Sequence, residues 1–150
     1  MISFYKLLLI TLIFTAPIFI YMPEKIEISE LFPVSQEKLY LDWLNSEDHS
    51  AFTGGEAVID PLIGGEFTTW DGYISGRNID LVPFTKITQS WRTTDFPPHA
   101  PDSVLEIHFH AEGDQTRISL VHFNIPEGQG AMYKQGWVDY YFIPMHDFFS

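Results

Sequence analysis

The 150-residue chain contains no cysteine, and only 8 of its residues are lysine or arginine. Without cysteine it forms no disulfide, no thiolate nucleophile and no cysteine-based zinc site, although this does not decide its compartment. Its 20 aspartates and glutamates give a formal net charge of -12. Proteins that bind nucleic acid neutralise phosphates with clustered basic side chains, and this sequence has no basic patch. We therefore expect no nucleic-acid partner.

The sequence also lacks the motifs that usually announce catalysis. It has no nucleophile elbow, no phosphate-binding glycine loop and no pair of histidines at helical spacing. The pairs Gly54-Gly55 and Gly64-Gly65 fall at predicted turns, where glycine has a conformational role. We predict no catalytic residue and no cofactor, and we leave open whether the chain is an enzyme.

Two histidines in one predicted strand raise the question of a metal site. His108 and His110 alternate with Ile107 and Phe109, and Glu106 shares their parity. In a half-buried strand the apolar residues face the core, so these histidines should face solvent. We therefore predict no metal site.

The N-terminal 22 residues differ in composition from the rest. Leu7 to Met22 is uncharged and follows Lys6, a pattern typical of an uncleaved membrane anchor. Alternatively, translation starts at Met22 and the protein is cytoplasmic. Either way we predict a single domain over residues 23–150, with membrane contact only through residues 1–22.

Hydrophobic periodicity predicts an α+β domain. Glu24 to Phe32 alternates like a half-buried strand, and Ser35 reads as the N-cap of a helix that runs to about Asn45. A short helix to Phe52 follows, and then six strands separated by turn signals, over residues 57–59, 66–70, 73–82, 85–94, 103–111 and 115–125. Residues 129–149 are predicted to form a long helix with a broad aromatic face, which Gly136 weakens locally and Pro144 should bend or end.

This order of elements predicts a curved antiparallel sheet wrapped on the C-terminal helix, the helix-grip architecture. Several motifs, in this order, also resemble the bacterial single-domain proteins similar to the C-terminal domain of the heat-shock-protein-90 ATPase activator, in the START-like (SRPBCC) superfamily. The motifs are Phe52-Thr53-Gly54, Gly64-Gly65-Glu66-Phe67, Trp70-Asp71-Gly72-Tyr73-Ile74, Leu81-Val82-Pro83, Ser90-Trp91-Arg92-Thr93, Asn124-Ile125-Pro126 and Gly136-Trp137 with Tyr141. The resemblance covers residues 24–150 and implies the fold of the birch-pollen allergens.

Candidate site residues are those expected between the sheet and the last helix. His122 follows Ile118 and Leu120 at period two and should face the interior, as a core hydrogen-bonding group, a ligand contact or a general base. The aromatic candidates either fill the core or line a cavity, and inward polar groups need partners. The predicted ligand-binding set is Trp70, Tyr73, Asn78, Gln89, Trp91, His122, Trp137 and Tyr141.

Arg92 has the opposite parity to Trp91 and should lie outside, paired with a carboxylate such as Asp95. Two functions remain open. The first is a module that binds a small apolar or amphipathic ligand between the sheet and the last helix. The second, implied by the family name, is a co-chaperone or protein-interaction role with a heat-shock chaperone.

Overall fold

The computed structural model describes residues 13–18 and 20–150. Within these residues no helix is long and apolar enough to cross a membrane. The predicted anchor, residues 1–22, falls for the most part outside them.

A seven-stranded antiparallel sheet carries the fold. Its strand order is β1-β7-β6-β5-β4-β3-β2, so the first and last strands in the chain are neighbours. The strands are β1 Glu24–Phe32, β2 Val58–Ile59, β3 Glu66–Thr69, β4 Ile74–Val82, β5 Lys86–Thr93, β6 Ser103–Glu112 and β7 Gln115–Ile125. The predicted strands and the helix-grip fold class are confirmed.

The two faces of the sheet follow the alternation of the sequence. Ile107 and Phe109 of β6 and Ile118 of β7 are almost fully buried, and Phe109 pairs with Ile118 across the strands. His108 is half-buried and His110 exposed, on the other face. Period-two patterning therefore placed the core face correctly.

Two short helices, α1 (Gln36–Leu44) and α2 (Ser46–Thr53), connect β1 to β2. The Ser35 hydroxyl caps α1 by accepting from the Lys38 N–H at 3.2 Å, as predicted. Asn45 caps α2 in the same way. Gly54 ends α2 with φ of 86°, a conformation that favours glycine.

The C-terminal helix runs from residue 130 to residue 149 in three parts. These are α3 (Gly130–Trp137), a π-helical turn (Val138–Phe142) and α4 (Ile143–Phe149). The sequence predicted a bend or an end at Pro144, but the helix continues through Pro144 after a wide turn over Val138–Phe142. Pro144 has no N–H that could form the usual helical hydrogen bond to the carbonyl four residues earlier. In the preceding turn the Ile143 N–H bonds to the Val138 carbonyl, five residues back.

The wide turn keeps one row of side chains on the sheet. Tyr133, Trp137, Tyr141 and Met145 recur at every fourth residue, and all are buried. In an α-helix of 3.6 residues per turn, such a row drifts by about 40° per step. The π turn takes up an extra residue and offsets the drift.

A carboxylate from β1 caps the start of α3. The Glu24 carboxylate accepts hydrogen bonds from the N–H groups of Gly128 at 2.7 Å and Gly130 at 2.8 Å. A Cβ atom on Gly130 would lie 2.6 Å from Glu24 Oε1, so a side chain there would displace the carboxylate. A negative group at a helix N-terminus is favourable for both its hydrogen bonds and the helix dipole.

We expect Glu24→Ala to lower the free energy of unfolding by about 1–2 kcal/mol, as for the loss of a helix cap. Urea denaturation monitored by circular dichroism measures the change. The control is Glu27→Ala, which removes an exposed carboxylate paired with Lys25 on the same strand and should leave the urea midpoint unchanged. Equal effects of the two substitutions would contradict the capping role.

Candidate functional site

A cavity of about 440 Å³ lies between the sheet and the C-terminal helix. The most exposed of its lining residues are Met132 and Tyr140, at 47% and 59%. Its wall is mainly aromatic and consists of Trp70, Tyr73, Ile74, Trp91, Met132, Tyr133, Gly136, Trp137, Tyr140 and Tyr141. The volume falls within the range of about 300–1,000 Å³ that is usual for small-molecule sites.

The structure brings together part of the predicted site. The predicted residues in the cavity wall are Trp70, Tyr73, Trp91, Trp137 and Tyr141. Asn78, Gln89 and His122 are outside the wall, and their polar groups bond to the protein itself. Sequence reasoning missed Met132, Tyr133 and Gly136, which come from the same helix face as Trp137 and Tyr140.

Asn78 and Gln89 form a buried pair that secures a loop. The Gln89 side-chain amide donates to Asn78 Oδ1 at 2.9 Å. The Asn78 amide donates to the carbonyls of Asp60 at 3.0 Å and Leu62 at 3.1 Å. The pair therefore holds the loop between β2 and β3 through bonds within the protein.

His122 connects the last helix to the sheet. Its Nδ1 accepts from the Trp137 indole N–H at 3.2 Å, and its Nε2 lies 2.8 Å from the Ser103 hydroxyl. The Ser103 hydroxyl donates its hydrogen to the Trp91 carbonyl at 2.6 Å. Its oxygen therefore accepts a hydrogen bond from the N–H at His122 Nε2. This chain of bonds fixes one tautomer of a neutral ring. Burial lowers the pKa of His122 to about 3, which keeps the ring neutral.

A second buried histidine holds Tyr141, and the sequence did not indicate it. His49 Nδ1 donates to the Trp43 carbonyl at 2.8 Å, which leaves Nε2 to accept from the Tyr141 hydroxyl at 3.0 Å. That hydroxyl also lies 3.2 Å from the Thr69 hydroxyl. Burial lowers the pKa of His49 to about 4 and raises the pKa of Tyr141. The pairing joins residues 92 positions apart, so no local pattern marks it.

A third set of hydrogen bonds fixes the tyrosines at the other end of the wall. The Tyr133 hydroxyl donates to Gln129 Oε1 at 2.7 Å and lies 2.6 Å from Thr93 Oγ1. Tyr73 donates to the Asp95 carboxylate at 2.7 Å. Burial raises the pKa of Tyr133 to about 12, so its hydroxyl remains protonated at neutral pH.

Arg92 lies on the outer face as predicted, but its partner differs from the predicted Asp95. Its guanidinium bonds to the Asp102 carboxylate at 2.6 Å and lies 5.5 Å from the centre of the Phe96 ring. Asp95 is instead engaged by Tyr73. The loop between β5 and β6 brings Asp102 next to Arg92. The sequence prediction chose Asp95 because it is closer to Arg92 in the chain.

His108 pairs with Glu106 on the outer face of β6, with His108 Nε2 at 3.1 Å from Glu106 Oε2. In the described part of the chain, no three His, Cys, Asp or Glu side chains are close enough together to hold a metal ion. This pair is a contact between two side chains on the same face of one strand.

Comparison with known proteins places the fold in a family. A family model described as activator of Hsp90 ATPase homolog 1-like protein matches residues 33–143. The chain belongs to this family. The predicted resemblance is thereby confirmed, and the matched residues include α1, α2, α3, the strands β2 to β7 and the cavity wall.

Relatives of known name support the assignment. The chain is 32% identical over 118 residues to the human activator of 90 kDa heat shock protein ATPase homolog 1, which covers 79% of this chain and 35% of the human protein. It is 28% identical over 113 residues to the Dictyostelium discoideum homologue, covering 75% of this chain and 29% of that protein. The chain thus spans about a third of the length of these relatives.

Solved structures share the fold at lower identity. An HSP90 activator from Plasmodium falciparum superposes with a TM-score of 0.73 at 24% identity, covering 79% of this chain and 91% of that one. CalU16 from Micromonospora echinospora gives 0.72 at 23%, with 85% and 77% coverage. The Aha1 dimer from Colwellia psychrerythraea gives 0.69 at 14%, with 84% and 96% coverage. These likenesses establish the helix-grip fold.

The neutral state of His122 should appear in the pH dependence of stability. Between pH 6.5 and about pH 3 the unfolded chain binds a proton on His122 and the folded chain does not. The unfolded state then binds more protons, so stability rises with pH in this window and falls as pH drops. The stability advantage of wild type over His122→Gln should shrink by about 1.4 kcal/mol per pH unit below pH 6.

Urea denaturation at intervals from pH 7.5 to pH 5 measures this difference. His110→Gln, on the exposed face of β6, is the matched control. If the His122→Gln difference were constant with pH, or if His110→Gln gave the same slope, the buried neutral state would be wrong.

Proposed function

We propose that this domain binds a small apolar or amphipathic molecule in the cavity between the sheet and the C-terminal helix. The observation that carries the proposal is the aromatic-walled cavity of about 440 Å³, whose lining includes the exposed side chains of Met132 and Tyr140. Aromatic rings supply large contact areas at a low cost in side-chain entropy. A molecule of about two fused rings, or a short acyl chain, suits this volume.

The wall is held in place from behind. Trp137 bonds to His122, Tyr141 to His49 and Tyr133 to Thr93, each through the polar edge of its ring. Rings fixed in this way lose little freedom when a ligand binds, so preorganisation favours affinity.

Charge favours a neutral ligand. Asp95 bonds directly to Tyr73 in the cavity wall, and the whole chain carries a net charge of -12. An anionic headgroup would meet repulsion at this site, whereas a neutral molecule would not. We therefore choose neutral probes for the binding test.

The test uses N-phenyl-1-naphthylamine, a neutral dye whose fluorescence rises in apolar surroundings. We expect wild type to enhance its fluorescence with a dissociation constant in the micromolar range, and Gly136→Leu to abolish the signal. Gly136 lines the cavity, and a Cβ atom there would meet only Tyr140 Cδ2, at 3.9 Å. A larger side chain therefore extends into the cavity space without a backbone clash.

Gly136→Ala is the matched control. It adds one methyl group to a helical position and should raise the free energy of unfolding by about 0.5–1 kcal/mol while leaving dye binding nearly intact. No enhancement with wild type, or equal enhancement with Gly136→Leu, would contradict cavity binding.

A second candidate function is contact with a heat-shock chaperone. It rests on the family assignment and on the 32% identity to the human ATPase activator homologue, of which the chain covers 35%. If the domain acts in this way, it should bind the Hsp90-class chaperone of its own organism at micromolar concentration and change its ATPase rate. Absence of binding at that concentration would exclude this function.

The variant Gly136→Leu also distinguishes ligand binding in the cavity from chaperone binding by the outer surface. A contact made by the outer surface should survive Gly136→Leu, because that substitution fills only the interior cavity. A loss of chaperone binding together with dye binding would indicate that the cavity itself serves the chaperone contact.

A further inference from the structure

Trp70 contains an unsatisfied polar atom in the cavity wall. Its indole Nε1 is covered by protein atoms but has no hydrogen-bond partner, alone among the buried side-chain nitrogens and oxygens of residues 13–18 and 20–150. By contrast, Tyr73, Tyr133 and Trp137 in the same wall all have partners. A buried N–H without an acceptor is unfavourable and calls for an explanation.

The backbone of Trp70 is also unusual. Its φ is 51°, in the left-handed region that bulky residues rarely occupy. Two neighbours hold it there, since Asp71 and Glu56 bond reciprocally: the Glu56 N–H donates to Asp71 Oδ1 at 3.0 Å, and the Asp71 N–H donates to the Glu56 carbonyl at 3.1 Å. Such conformations persist where the surroundings determine them, and they cluster at functional sites.

The position of the ring is fixed by a glycine. A Cβ atom on Gly55 would lie 2.6 Å from Trp70 Cε3, so this close approach requires glycine. Cε3 is on the opposite side of the indole from Nε1, so the nitrogen edge is turned away from Gly55. The backbone and Gly55 thus hold a donor in one orientation, which is what selective recognition needs.

Tyr140 packs against Trp70 in the cavity wall. Its ring packs edge to face against Trp70, with centroids 5.6 Å apart and an interplanar angle of 71°. Both rings line the cavity, and Tyr140 is 59% exposed. An exposed tyrosine changes rotamer readily, so the contact is easily exchanged for one with a ligand.

Building on the proposed ligand-binding function, we propose that the Trp70 indole N–H is the donor that selects the ligand. The cavity would then prefer neutral apolar molecules that carry a hydrogen-bond acceptor, such as a ketone or ester carbonyl oxygen, over pure hydrocarbons of the same shape. Tyr140 moves aside as the oxygen takes its place over the N–H. The ligand thereby satisfies the one buried donor that the described residues leave without a partner.

Two probes that differ mainly in the carbonyl oxygen test this inference. They are 2-acetylnaphthalene and 2-ethylnaphthalene, titrated by calorimetry into wild type and Trp70→Phe. Phenylalanine keeps an aromatic ring but has no N–H. We expect Trp70→Phe to weaken binding of 2-acetylnaphthalene by about tenfold, the size of one hydrogen bond to a neutral acceptor, and to leave 2-ethylnaphthalene within about twofold.

A measurement on the wild-type protein covers the case in which Trp70→Phe fails to fold. The chain has 4 tryptophans, so its nitrogen-15 spectrum should show four indole signals. The Trp70 signal can be assigned through its proximity to Tyr140. We expect it to move downfield when 2-acetylnaphthalene is added and to move much less with 2-ethylnaphthalene.

The outcomes separate this inference from the function on which it rests. If both probes bind but Trp70→Phe weakens them equally, or if the downfield shift falls on another indole such as Trp91, the inference is wrong and cavity binding stands. If neither probe binds wild type and N-phenyl-1-naphthylamine does, only the acceptor preference is overturned. If none of the three binds, both proposals are overturned.

Discussion

The buried hydrogen bond from Trp137 to His122 joins the last helix to the sheet, and the site depends on it. The helix presents a row of large rings to a concave sheet, and apolar contact alone leaves such rings several ways to pack. A hydrogen bond between an indole and a fixed imidazole selects one of them. Because the bond is buried, losing either partner would leave a buried ring nitrogen of the other without its hydrogen bond. Ser103 completes the constraint by fixing which nitrogen of His122 carries its proton.

His49 repeats this arrangement one turn along the helix, where it holds Tyr141. The two histidines come from different elements, β7 and α2, so they fix the helix from two directions. Both depend on remaining neutral, and burial lowers the pKa of each. Their shared cause is desolvation, so the same interior that excludes water also sets their protonation. Glu24, in β1, fixes the start of the helix with two further hydrogen bonds, to the N–H groups of Gly128 and Gly130.

The sequence predicted what depends on local periodicity. Alternation in β6 and β7 placed His122 inside and His108 outside, and turn signals separated the strands near their observed ends. The family motifs led to the same fold. These features depend on residues that are close in sequence. Their prediction therefore stays correct even when an element boundary is misplaced by one or two residues.

What the sequence did not reveal depends on contacts between distant elements. Glu24 lies more than 100 positions from the glycines that it caps, and His49 lies 92 positions from Tyr141. Asn78 and Gln89 were expected to need a partner such as a ligand, but Gln89 bonds to Asn78, and Asn78 bonds to carbonyls of a loop whose path no sequence pattern specifies. Polar side chains choose partners only once the fold has brought candidates together, so their roles are the least predictable part of the site.

The same constraints explain why the interior does not close up. A core usually relaxes into a void when its side chains are free to move, because unfilled space loses dispersion contacts. Here Trp137, Tyr141 and Tyr133 are each tied by a polar edge to a partner behind them, and moving inward would break that bond. Gly136 adds no side chain to fill the gap. The fold thus maintains an apolar cavity at a cost in packing, with Trp137, Tyr141 and Tyr133 held by hydrogen bonds and the Trp70 indole N–H left without a partner. This combination favours a cavity kept open for a molecule over a core that is merely packed imperfectly.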